Sequence, residues 1–437
     1  MRDSMAMPPD KLETSQLLRM PWTNSDNAFS WLEITHRCNL DCAYCYQKNR
    51  PHSDKPVQQV QEDFRNLLSV RKCDTVFISG GEPLVHPRLE TIIQLVAEQH
   101  LKPVLVTNGH ALTKERVLRL KQVGLAGFIL HVDHGQNRPG WIGKSENELN
   151  ALRQHYADMI HGAEGMICGF NTTILPETLH DVPRLVRWTV QNINKVCAHT
   201  LIPVRVVRAD DPWDLYVRDQ RIAFEDSAFA SKQYTNPSGI NLTARDIYTQ
   251  VQNALPGFRA NAFLGGTEIP DAPKWLFANI IGSDRKVFGY LGPKSMEILQ
   301  NGYHLLKGRY LSFLSPSYYG KAKALLLLAI VDKQMRRTLR AYLAAAAKAP
   351  STFFRKTSIQ SLLILQPQDV LPSGKQDLCD GCPNKTIHEG RLVSMCRTEE
   401  YINFGDRVSL RRKPEETGKA VPKKSCRSNR HARKEEV

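Results

Sequence analysis

Short apolar runs alternate with amphipathic stretches along the first half of the chain. The runs are WLEIT at 31–35, TVFIS at 75–79, PVLVT at 103–107, GFILHV at 127–132, GMICGFNTTI at 165–174 and TLIPVRVV at 200–207. Bounded runs of this length read as strands. Between them, residues 57–70, 89–99, 114–123, 145–160 and 179–193 repeat their apolar positions with helical spacing. Six such β-α units predict an α/β fold with a parallel sheet, which right-handed crossovers curl into an open or closed barrel.

In such folds, active sites gather at the C-terminal ends of the strands. Cys38 comes just after the first predicted strand, and Gly80, Gly81, Glu82 and Pro83 come just after the second. Thr107 and Asn108 follow the third, His131 and Asp133 close the fourth, and Asn171 lies near the end of the fifth. The chemically distinctive residues therefore share one predicted rim.

The pattern divides the chain. Residues 1–30 are polar and read as a loose arm, and 31–208 form the barrel. Residues 209–370 read as a mainly helical substrate-binding extension. Within it, RADDPWDLYVRDQ reads as loop, helical patterns return at 242–262 and 292–306, and 321–348 reads as one long helix ending before Pro350. FLGGTEIPDAPKWLF and GYHLLKGRYLSF, rich in glycine and aromatics, are expected to build the substrate pocket. A Cys-rich segment occupies 371–410. Residues 411–437 hold ten Lys or Arg against four Glu and almost no large apolar groups, so they are expected to be disordered.

Composition adds limits. The 437 residues leave room for two or more domains, and 41% apolar with 24% charged residues is ordinary for a soluble protein. The formal charge of +15 suits nucleic acid, anionic headgroups or phosphorylated small molecules, and equally a solvated surface with a basic tail. The first residues lack the apolar core of a secretory signal, and the strongest apolar run, Ala324 to Val331, is too short to span a bilayer. A cytoplasmic, reducing location is expected, where cysteines serve as metal ligands or buried thiols.

Cys38, Cys42 and Cys45 are separated by three and then two residues. A closed zinc site needs four ligands, and only His36 is a nearby fourth candidate. Three thiols on a [4Fe–4S] cube leave one iron open, an arrangement suited to catalysis. Cys-x3-Cys-x2-Cys with Tyr44 before the last cysteine, GGEP after the next strand and TNG after the third resembles the radical S-adenosylmethionine (SAM) superfamily. The resemblance implies a partial (βα)6 TIM-like barrel. It also implies that the methionine part of SAM chelates the open iron, and that Gly80 and Gly81 let backbone approach the cofactor. Glu82 would accept from the methionine amino group, Pro83 would stiffen the turn, and Tyr44 would pack near the adenine. Thr107, Asn108, His131, Asp133 and Asn171 would face SAM or substrate. An electron from the reduced cluster would split SAM, and the resulting 5′-deoxyadenosyl radical would abstract hydrogen from substrate. A flavodoxin- or ferredoxin-type protein would supply the electron.

Cys379, Cys382 and Cys396 form a second group, spaced by two and then thirteen residues. It resembles the auxiliary-cluster motif of the GTP-cyclising and peptide-modifying radical SAM enzymes, implying a second [4Fe–4S] cluster. Zinc with His388 or Cys426 as fourth ligand is the competing reading. Cys73, Cys168 and Cys197 read as buried thiols, although Cys168 could point into the barrel. The substrate stays open among a peptide, which is favoured, a lipid and a nucleotide-like metabolite. Peripheral membrane contact fits the basic surface. A reading from another class, a zinc-stabilised nucleic-acid-binding protein, predicts salt-sensitive binding to RNA or DNA.

Overall fold

Six parallel strands form where the apolar runs predict them. In the computed structural model, which describes residues 12–205, 211–226, 240–283, 286–315 and 320–413, a two-residue strand β1 (Leu18–Arg19) precedes the first unit. The units then run β2 (Phe29–Thr35), α1 (Val57–Val70), β3 (Thr75–Gly80), α2 (Leu89–Ala97), β4 (Lys102–Thr107), α3 (Lys114–Gln122), β5 (Gly127–His131), α4 (Asn150–Gly162), β6 (Ile167–Ile174), α5 (Val182–Gln191) and β7 (Ala198–Pro203). Each strand pairs in parallel with the next. All seven residues of β2 are buried, as expected for a strand covered on both faces. Helix α1 presents Val60, Phe64 and Leu67 to the sheet at helical spacing and leaves its polar face to water.

The extension differs from its expectation. Residues 209–370 do contain α6 (Ala244–Ala254), α7 (Pro293–Lys307) and α8 (Lys333–Lys348), but they also complete the main sheet. Within the described part of the stretch expected as loop lies β8 (Trp213–Val217), and β9 (Gln220–Ile222) begins at its last residue. β10 (Ala262–Leu264), β11 (Trp275–Ser283), β12 (Lys286–Tyr290) and β13 (Ser358–Leu365) follow. β13 joins the free edge of β7 in parallel, and β11 joins β13 antiparallel. β10 and then β1 extend the row. The physical reason is the edge of β7, whose unpaired backbone groups are satisfied by a further strand.

The polar arm is also not loose where it is described. β1 pairs with β10, and Met20 and Trp22 are buried in the barrel core. Residues 1–11 lie outside the described residues. The expected helix at 321–348 is two elements. A 3-10 helix covers Ala322–Ile330, and Asp332 then caps α8 by accepting from the N–H groups of Gln334 (2.7 Å) and Met335 (3.1 Å). Beyond the barrel lie β14 (Asp369–Val370), β15 (Gln376–Asp377), β16 (Lys385–His388), β17 (Arg391–Ser394), α9 (Thr398–Phe404) and β18 (Val408–Arg412). β18 pairs with β8, so Arg411 and Arg412 are strand rather than disordered tail. Residues 414–437, including Cys426, lie outside the described residues.

Candidate active site

The inward positions of β2 to β7, β13 and β11 alternate with outward ones and enclose a cavity of about 380 Å³. Phe29, Trp31, Phe77, Trp275 and Phe277 give it aromatic walls, and Leu311, Phe313 and Leu314 also line it. Both segments expected to form the pocket thus contribute to its lining. Cys38, Cys42 and Cys45 line this cavity, and so do Cys379, Cys382 and Cys396.

The first cysteine loop is anchored at both ends. The N–H of Cys38 donates to Asn49 Oδ1, and Asn49 Nδ2 returns a bond to the Cys38 carbonyl, each at 3.0 Å. The Ala43 N–H donates to the Gly135 carbonyl at 2.9 Å. Polar hydrogens also approach the sulfur of Cys38, namely the Leu40 N–H at 3.5 Å and Asn108 Nδ2 at 3.8 Å. Burial pushes all three thiols up, Cys45 to about 11. A cationic metal centre is what would offset that cost and hold them as thiolates.

The glycine pair has a structural reason distinct from approach to a cofactor. At Gly81 a Cβ would lie 2.5 Å from the Arg37 carbonyl oxygen, and at Gly80, with φ +150°, it would lie 2.0 Å from that of Thr35. The Gly81 and Glu82 N–H groups bond to those same two carbonyls, of Thr35 and Arg37, at 2.8 and 2.9 Å. The pair therefore lets the end of β3 dock on the root of the cysteine loop.

Glu82 is fully buried and does not line the cavity. Its carboxylate accepts from the Leu84 N–H (3.0 Å), the Asn108 N–H (2.7 Å) and the Thr107 hydroxyl. Burial raises its pKa, and these donors oppose that shift. The side chain thus joins two strand ends, and Gly80 and Gly81 line the cavity. Pro83 is buried at the start of a 3-10 turn and is likewise not part of the lining.

Thr107, Asn108, His131, Asp133, Asn171 and Tyr44 all line the cavity. Asp133 accepts from His131 Nε2 at 2.6 Å, from the Thr173 N–H at 3.0 Å and from the Tyr44 hydroxyl. Tyr44 thereby ties the cysteine loop to the end of β5. Despite its burial, the donors around Asp133, His131 foremost, hold its pKa below the usual carboxylate range.

The second cysteine group sits on a frame the sequence did not reveal. Fully buried Arg71 donates to the carbonyls of Cys382 (2.8 Å) and Phe29 (3.1 Å). Trp31 Nε1 donates to Asn384 Oδ1 at 2.9 Å. Buried Lys274 pairs with Asp369 at 2.5 Å and Asp377 at 3.0 Å, just before Cys379. Gly266 forms a bridge with Cys379, and a Cβ there would meet the Asp377 carboxylate at 2.3 Å. The Cys382 thiol is pulled down by a hydrogen bond from Cys379, with Lys385 and Arg71 acting in the same direction against burial. His388 does not line the cavity. Among the described residues, no three His, Cys, Asp or Glu side chains converge as one metal ion requires. Cys73, Cys168 and Cys197 are buried thiols, and Cys168 packs in the core between sheet and helices rather than facing the cavity.

A partial barrel with three cysteines after its first strand and a glycine pair after the next parallel strand defines a radical SAM domain. The chain carries that domain: residues 32–189 match the family model described as Radical SAM superfamily. The family implies SAM and a [4Fe–4S] cluster, and the three cavity-lining cysteines, with two hydrogen-bond donors at the Cys38 sulfur, fit such a cluster.

The chain is similar to several named proteins over limited stretches. It is 27% identical to the 7,8-dihydro-6-hydroxymethylpterin dimethyltransferase of Methanocaldococcus jannaschii, over 40% of this chain and 35% of that one. It is 37% identical to the antilisterial bacteriocin subtilosin biosynthesis protein AlbA of Bacillus subtilis, over 20% of each chain. It is 37% identical to a GTP 3′,8-cyclase of a Synechococcus species, over 23% of this chain and 31% of that one. The match thus spans about a third or less of each relative. No helix among the described residues is long and apolar enough to cross a membrane.

Proposed function

We propose that this chain is a radical SAM enzyme that cleaves SAM reductively and abstracts hydrogen from a substrate held between two iron–sulfur clusters. The observation that carries this reading is the shared cavity: six cysteines in two sequence-distant groups line one space. Cys38, Cys42 and Cys45 would hold the SAM-binding cluster, and Cys379, Cys382 and Cys396 a second one. When bound, the first cluster supplies the electron that breaks the C5′–S bond of SAM. Asn108 orients the loop by donating to Asn39 Oδ1 at 2.8 Å. Asp133 and Tyr44 lock the loop, and the aromatic walls exclude water from the reacting space. A flavodoxin- or ferredoxin-type protein is the proposed electron donor, and the proposed compartment is cytoplasmic.

A peptide with an apolar side chain is the favoured substrate, supported by the apolar walls and by similarity to a protein named for bacteriocin biosynthesis. The same walls favour a lipid as the second reading. The test is anaerobic reconstitution with iron and sulfide, followed by reduction in the presence of SAM. The expected result is a brown protein that releases 5′-deoxyadenosine. Deuterated peptide and lipid fractions then compete as sources of label in that product. An iron-loaded, reduced protein that makes no 5′-deoxyadenosine, or a Cys42→Ala variant indistinguishable from the parent, would overturn the proposal.

A further inference from the structure

Residues 320–356 form a surface that the cavity does not explain. They hold nine Lys or Arg and one carboxylate, Asp332. That carboxylate is buried, accepting from Gln334, Met335 and, at 2.9 Å, the Ser295 N–H. Lys321, Lys333, Arg336, Arg337, Arg340, Lys348 and Lys356 are exposed. No acidic side chain of the segment itself tempers this charge at the surface.

Large apolar side chains stand among these cations. Leu327 is 73% exposed, Ile330 81% and Phe354 91%, with Val331, Leu343 and Phe353 exposed beside them. In a 3-10 helix, residues three apart lie in one row. The exposed row of Ala322–Ile330 is Ala324, Leu327 and Ile330, while Leu326 and Ala329 face the core. The elements form one surface. Arg336 Nη1 donates to the Ile330 carbonyl at 3.2 Å, and Lys323 Nζ donates to the Phe353 carbonyl at 2.6 Å. Tyr342 of α8 packs edge-on against Phe353 with ring centroids 6.0 Å apart.

We propose that this face docks on an anionic membrane surface. The apolar row and Phe354 enter the boundary between headgroups and acyl chains, and the surrounding cations meet the phosphates. Nucleic acid would satisfy the cations but leave Leu327, Ile330 and Phe354 with nothing to bury against. Exposed apolar side chains of this size, grouped among cations of one sign, mark an interaction site rather than a solvated face. The contact is peripheral and independent of how SAM is used.

The test is flotation of the full chain with vesicles of phosphatidylcholine alone or with phosphatidylglycerol added. Binding is expected only to the anionic vesicles, weakening as salt rises. The triple variant Leu327→Ser, Ile330→Ser, Phe354→Ser keeps the basic C-terminal residues and every cavity residue. It is expected to lose at least about tenfold in vesicle affinity, while its yield of 5′-deoxyadenosine in detergent-free solution is unchanged. Absence of binding to anionic vesicles overturns the proposal, and so does a triple variant that binds as well as the parent. Equal retention of the parent and the triple variant on an RNA oligonucleotide that displaces the vesicles would assign the surface to polynucleotide instead.

Discussion

Arg50 Nη1 and Nη2 lie 2.6 and 2.8 Å from the two carboxylate oxygens of Glu399. Glu399 also accepts from the Lys48 N–H at 3.0 Å, and Arg50 reaches Asn403 Oδ1 at 2.9 Å. Arg50 follows the first cysteine loop and Glu399 follows Cys396 by three residues, so one ion pair clamps the two cysteine segments together. A bidentate pair fixes geometry as well as proximity. Glu399 is fully buried, which makes the pair costly to break from one side. Arg50→Ala is expected to destabilise the protein by about 3 kcal/mol. Denaturant unfolding measures that loss, and iron bound per chain should fall with it because the second segment loosens.

Iron counting separates the two cysteine groups. Cys382→Ala is expected to leave about half the iron of the parent while still releasing 5′-deoxyadenosine from SAM. Cys42→Ala should abolish that release. If both groups hold clusters, the parent carries about eight irons. A parent with about four irons, unchanged in Cys382→Ala, would confine the cluster to the first group.

Glu33 predicts a pH dependence. It is almost wholly buried beside the cysteine loop, bonded to Gln47, and burial raises its pKa from 4.5 to about 7 despite Lys55. The folded protein holds this proton more tightly than the unfolded chain does. The stabilisation is complete below pH 4.5 and is lost as pH rises through 7. Glu33→Gln is expected to remove about 3 kcal/mol of that loss, seen as a flatter unfolding free energy between pH 5 and 8.

Gly81 is expected to resist substitution. In Gly81→Ala the new methyl would press on the Arg37 carbonyl at the base of the cysteine loop. Destabilisation of about 1–3 kcal/mol follows, and cluster loading should drop further than stability alone explains. Ala in place of Gly302, a position within α7 where nothing lies within 4 Å of the new methyl, meets no neighbour and should load iron as the parent does.

Much of the site was legible because its residues obey local rules. A strand end followed by Cys38, by Gly80 and Gly81 or by Asn108 needs only period and spacing to be placed on a rim. Glu82 shows the limit. Its motif is local, but its partners Thr107 and Asn108 come from the end of the next strand, and those bonds make it a tie between two strand ends. Arg71, Lys274 and Glu399 carried no signal, since a lone charge in a sequence does not announce that its carboxylate or carbonyl partners are far along the chain.

The sequence alone determined the order of the β-α units and the placing of the first three cysteines, because strand and helix periodicity act over a few residues. Only the tertiary structure decided how the barrel continues past β7 and what shares its cavity. Ser361 pairs with Ala198, and Trp275 with Leu365, to complete the wall. Cys379, Cys382 and Cys396 then line the same space as Cys38, Cys42 and Cys45. Such pairings follow from satisfying a free sheet edge and burying apolar faces, demands that arise only once the rest of the chain has folded.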